Sequence, residues 1–135
     1  MCLSLLDTEI KVAQEDIVCY KVMEKQGETL ISPYQNMRYK CGEMYVSETP
    51  ITVKYGIAMT AYVEEGFHTF SNKKEAQHFA STLPRWMCVC CYPCPYVVVK
   101  CLIPAGTRYV RGVFFEIGKS FNSFCSERIM ALEEV

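Results

Sequence analysis

The sequence predicts an α+β fold: a single domain over residues 1–135, mostly antiparallel or mixed β-sheet, with one principal helix at about residues 72–83. Three observations carry this. The run Tyr96-Val97-Val98-Val99-Lys100-Cys101-Leu102-Ile103 is apolar on both parities, which marks a strand covered on both faces. Asn72 followed by Glu75 makes a capping box, and Ala76, Phe79, Ala80 and Leu83 then recur at helical spacing until Pro84 forbids continuation. The remaining apolar stretches are short, rich in β-branched and aromatic residues, and separated by Gly and Pro turns.

In chain order, residues 1–15 fix no element, because Leu5, Leu6, Val12 and Ala13 are too loosely spaced. Residues 17–23 alternate as a strand that turns at Gln26-Gly27-Glu28, and residues 38–46 read as a second extended segment around Gly42. Residues 51–63 suggest a hairpin across Gly56, which passes through Glu64-Glu65-Gly66 into a strand at residues 67–70. The helix and a Cys-rich loop at residues 85–95 precede the central strand. Pro104-Ala105-Gly106-Thr107 is then a turn, residues 108–115 a strand, residues 118–123 a polar loop, and residues 128–132 the closing strand. The pattern amounts to about five to eight strands.

A 50% apolar composition with 21% charged residues suits an ordinary globular core. Fourteen Lys and Arg against fifteen Asp and Glu leave a net charge of -1, so no overall field favours nucleic acid. The first residues lack a basic, apolar leader and no stretch is long and apolar enough to span a membrane, so the expectation is a cytoplasmic protein with no membrane partner.

Nine cysteines form an odd set without an export signal, which suits reduced thiols, with Cys19, Cys41, Cys101 and Cys125 as small buried hydrophobes in strands. Cys88, Cys91 and Cys94 stand at C-x-x-C-x-x-C spacing, with Cys101 seven residues on. Three thiolates there could bind one zinc ion, but the second ligand pair of a structural site is missing, and inert thiols are the favoured reading. Cys91-Tyr92-Pro93-Cys94 has the spacing of a thiol exchange motif, yet a strand follows where that chemistry needs a helix N-terminus.

The strand-to-helix switch is the leading candidate site. His68, Thr69 and Ser71 gather polar side chains where a helix start offers free N–H groups, the arrangement that binds anionic ligands. The structural alternative is that Ser71 and Asn72 cap the helix while His68 packs. Glu127, in Ser126-Glu127-Arg128, is a weak catalytic candidate if its strand lines a cleft, and otherwise half of an exposed ion pair on an edge strand.

Tyr20-Lys21, Arg38-Tyr39-Lys40-Cys41-Gly42, Gly66-Phe67-His68, Val97-Val98-Val99-Lys100-Cys101, Ile103-Pro104-Ala105-Gly106-Thr107 and Cys125-Ser126-Glu127-Arg128-Ile129 together resemble small uncharacterised proteins of bacteria and their bacteriophages. That resemblance implies a bacterial cell or a phage-infected host and no particular reaction. A fainter resemblance is to the ADP-ribosyltransferase-like fold, whose first-strand, mid-strand and late-strand positions fall on Tyr20-Lys21, on Thr69-Phe70-Ser71 and on Glu127. It implies NAD held between two sheets, although neither Tyr20 nor Lys21 is the arginine or histidine of that fold. The functional expectation is a non-catalytic interaction or ligand-binding domain, with a protein partner or a nucleotide-like ligand at Tyr20, Lys21, His68, Thr69, Ser71 and Glu127. An NAD-using transferase, or its degenerate relative, and a zinc-stabilised module are the alternatives; no cofactor is favoured.

Overall fold

A computed structural model describes residues 3–5, 9–32, 37–83, 96–116 and 118–135. The strands are β1 (Leu3–Leu5), β2 (Lys11–Val12), β3 (Ile17–Gln26), β4 (Thr29–Ile31), β5 (Arg38–Tyr39), β6 (Met44–Val46), β7 (Lys54–Tyr55), β8 (Ala61–Val63), β9 (Phe67–Phe70), β10 (Tyr96–Ile103), β11 (Arg108–Glu116), β12 (Lys119–Ser126) and β13 (Arg128–Glu134). Helix α1 (Lys73–Thr82) is the single α-helix among the described residues. The domain is thus sheet-rich with one helix, and every strand pairing described is antiparallel.

The main path of the sheet runs β6-β13-β10-β3-β9-β12-β11-β1-β8-β7, with β4 and β5 added beside β3 and β2 beside β11. β10 lies between β3 and β13, as its double-sided apolar pattern requires. The two halves of the path meet at β3 and β9 through one register pair, Tyr20 opposite Phe70. Alternation along β3 and β10 divides the interior into two cores. Val22 and Val98 face one of them, which α1 covers with Ala76 and Phe79. There Phe79 packs against Phe70, Phe114 and Phe121 with ring centres 5.2, 5.5 and 5.6 Å away. Cys19, Met23, Val99, Cys101 and Ile103 face the other core, with Tyr39, Phe67 and Ile129.

Several expectations change. Residues 119–123 are not a loop: they open β12, where Phe121, Ser123 and Cys125 alternate inward while Ser120 and Asn122 face out. Ser120 and Asn122 are the solvent half of a period-two pattern. Residues 38–46 are two short strands around a turn at Gly42, where φ is +87°. Residues 3–5 and 11–12 are strands, held by pairing with β8 and β11 that no local pattern reveals. Cys41 is exposed. The count of strands rises accordingly, and the Cys-rich loop lies outside the described residues.

Candidate functional site

The strand-to-helix switch forms as the capping signal requires, and its hydrogen bonds are largely spent on itself. Asn72 Oδ1 accepts from the backbone N–H of Lys74 at 2.8 Å and of Glu75 at 3.3 Å. Glu75 does not reach back to complete the box; its carboxylate accepts from the Asn122 N–H instead. The Ser71 hydroxyl and N–H both donate to the Asn122 carbonyl. Ser71 therefore ties β9 to β12, and the amides of Ser71, Lys74 and Glu75 already have partners.

His68 and Thr69 point to opposite cores, yet both are buried, since β9 is covered on both sides. The His68 ring nitrogen Nε2 lies 3.2 Å from the Glu64 carbonyl and 3.8 Å from Cys125 Sγ, while the Cys125 thiol donates to the Glu65 carbonyl at 2.7 Å. A nucleophilic Cys–His pair needs the thiol proton on the imidazole. Here the thiol serves a carbonyl of the Glu64-Glu65-Gly66 turn, and so does the imidazole as an Nε2–H tautomer. The Gly66-Phe67-His68 signature thus has a structural account: the glycine allows the turn, the phenylalanine packs, and the histidine satisfies the turn's backbone.

Lys21 is the residue whose surroundings the sequence least announced. It lies on the face of β3 that carries Cys19 and Met23, is 6% exposed, and donates from Nζ to the His68 carbonyl at 3.0 Å. Its ammonium also sits 5.8 Å from the centre of the Tyr39 ring. Burial pulls its pKa below the usual lysine range. A signal was present: Lys21 shares its parity with Ile17, Cys19 and Met23, so a lysine there stands on an apolar face of the strand. Tyr20 faces the opposite core and is half-buried there.

Burial sets the proton affinities of the neighbours. It pushes the Cys19 thiol up to about 12, although Thr69 and Lys21 both favour its thiolate, and the Cys125 thiol up to about 12. Cys101 and Tyr39 are raised by burial as well. Burial and, second, the Lys21 charge hold the His68 imidazole down at about 4. Three side-chain atoms of this region, Tyr39 OH, His68 Nδ1 and Thr69 Oγ1, are buried with no hydrogen-bond partner.

Glu127 does not join them. Its carboxylate accepts from Arg108 Nη1 and from the Ile51 N–H, each at 2.9 Å, which pins the segment before β7 to the β12–β13 junction. Arg128, expected beside it, instead donates to Thr107 Oγ1 and to the Ala105 carbonyl. As arranged, these positions do not fit a bound NAD: Lys21, His68 and Thr69 are sealed in the interior, Tyr20 faces away from Lys21, and Glu127 is engaged. Of the zinc candidates, Cys88, Cys91 and Cys94 lie outside the described residues and Cys101 is buried in β10; among the described residues no three metal-binding side chains come together.

Two pH dependences follow. His68 has a folded value of about 4 against an ordinary 6.5, so the unfolded chain binds the extra proton and stability falls as pH drops through that interval. The expected loss is about 3 kcal/mol, read as a falling urea midpoint between pH 6.5 and 4 that His68→Gln flattens. Cys19, Cys101 and Cys125 keep their protons when folded and lose them from 9.0 upward when unfolded, so stability also falls as pH rises above 9. Lys21, lowered by burial, opposes this until its ordinary 10.5. Urea titrations at pH 9, 10 and 11 should lose about 2–4 kcal/mol per unit.

No family model, curated protein or solved structure significantly matches this chain.

Proposed function

We propose that the protein is a non-catalytic interaction domain that engages a protein partner through the ends of its sheet. The carrying observation is the pair of terminal strands. On β6, Met44 and Val46 are outward and exposed, Val46 by 64%, while Tyr45 between them anchors the strand edge-to-face on Tyr39. At the other end, β7 exposes Tyr55, and Ile57 in the following 3-10 turn (Ile57–Met59) is 94% exposed. End strands carry unpaired backbone groups, and natural sheets usually protect them with charge. Apolar side chains on such strands instead suit strand addition, where the backbone supplies affinity and alternate side chains supply specificity.

A photoreactive residue at position 44 or 55 should cross-link one partner in the native cell, and Val46→Lys or Ile57→Asp should abolish the corresponding product while leaving the melting temperature unchanged. Products unaffected by both substitutions would remove the reading. The NAD-using alternative draws on one observation, the register pair of Tyr20 with Phe70, which joins its first-strand and mid-strand positions. Amide NMR shifts at residues 67–75 on titration with NAD or ADP-ribose would favour it over the interaction domain.

A further inference from the structure

The interaction reading leaves the buried end of β3 unexplained. Cys19 and Cys101 are direct register partners on β3 and β10, so both side chains leave the sheet on the same face. Both are fully buried, and neither is in a disulfide. Opposed residues of an antiparallel pair carry their Cβ atoms about 4.5–5.5 Å apart, a separation that one ion between two sulfurs can bridge. Lys21 follows two residues along the same face, and among the described residues no carboxylate pairs with it. Thr69 Oγ1, 2% exposed, lies beside Cys19 and lacks a partner. A buried cation without a counter-charge is costly, as is a buried hydroxyl without a hydrogen bond. Both deficits concern one spot, and both call for negative charge on the thiols.

We propose that Cys19 and Cys101 form a two-thiolate site for a soft monovalent ion, copper(I), with Lys21 as its charge-balancing partner. Thiolate sulfur selects copper(I) over hard cations. Two thiols and one monovalent ion give a bis-thiolate complex of charge -1 and release two protons, so atoms and charge balance. The Lys21 ammonium neutralises that complex, and the Thr69 hydroxyl gains an acceptor in the Cys19 sulfur. Zinc would require two further ligands for its tetrahedron, and no third His, Cys, Asp or Glu among the described residues stands with this pair.

The test uses the full chain with Cys2, Cys41, Cys88, Cys90, Cys91 and Cys94 replaced by serine, which leaves Cys19, Cys101 and Cys125 as its thiols. It is titrated without oxygen with silver(I), a redox-inert probe, and with copper(I) in competition with bicinchoninate, each equilibrated until the signal is constant. One equivalent should bind, with an ultraviolet sulfur-to-metal absorption and two sulfur neighbours by X-ray absorption. Cys101→Ala should abolish binding, and Lys21→Met should preserve the stoichiometry while weakening affinity about tenfold or more, the coupling of a close buried charge pair. Failure to bind one equivalent, a metal shell without two sulfurs, or affinity indifferent to Lys21→Met would each overturn the proposal. The X-ray measurement needs no substitution in the core, so it decides even if Cys101→Ala does not fold.

Discussion

Val98→Asp is expected to abolish the folded state. Val98 is buried in the helix-covered core, opposite Val22 on β3, and its strand is bonded on one side to β3 and on the other to β13. A carboxylate there enters the apolar cluster of Phe79 and its aromatic neighbours, and the strand cannot rotate it out without breaking two ladders. Either unfolding or protonation must follow, at a cost of at least about 4 kcal/mol, a large part of a domain's usual 5–15 kcal/mol. Circular dichroism should show no cooperative melt. Val98→Ala, which leaves only a cavity, should keep the melt at a lower midpoint. A cooperative transition for the aspartate variant near the parent temperature would mean that β10 is not interior.

What was legible in the sequence was what is decided locally. Asn72 and the spacing of Ala76, Phe79 and Leu83 place α1 within a residue at each end, because cap chemistry and helical period both act within one or two turns. The double-sided apolar run likewise delimits β10. Strands β1, β2 and β4 were illegible because they are two or three residues long and exist only through their partners. Strand β12 carries the alternation of Phe121, Ser123 and Cys125, but its serines and asparagine give its first half the composition of a loop.

The candidate site divides along the same line. That Tyr20 and Lys21 cannot share a face follows from strand geometry alone. That Glu127 binds Arg108 and the Ile51 N–H depends on neighbours 19 and 76 residues away, which no spacing announces. A carboxylate at a strand junction therefore reads equally as catalytic or structural until its partners are known. The carbonyl contacts of His68 give a physical reason for a histidine in place of an apolar residue at this buried position.

The turn before His68 carries the second large expected effect. Gly66 has φ +87°, and a Cβ built on it would stand 2.7 Å from Ile51 Cγ2, 2.8 Å from Cys125 Sγ and 2.9 Å from the Ser126 carbonyl oxygen. Ile51 is fixed by the Glu127 bond to its N–H, and Ser126 is fully buried and paired with Phe67, so neither neighbour yields cheaply. Gly66→Ala should cost roughly 3–5 kcal/mol, the left-handed backbone contributing about 1–2 and overpacking the rest. Gly27→Ala separates the two contributions: Gly27 also has positive φ, at +63°, but nothing lies within 4 Å of its Cβ position, so only the backbone cost of about 1–2 kcal/mol applies. Urea unfolding of the two variants should therefore differ by at least about 1 kcal/mol. Displacing Gly66 also moves the Glu65 carbonyl away from the Cys125 thiol, so the thiol of the Gly66 variant should react faster with an aromatic disulfide reagent while that of the Gly27 variant should not. Equal stability and equal thiol reactivity in the two variants would refute the close packing at this turn, and with it the structural account of the Gly66-Phe67-His68 signature.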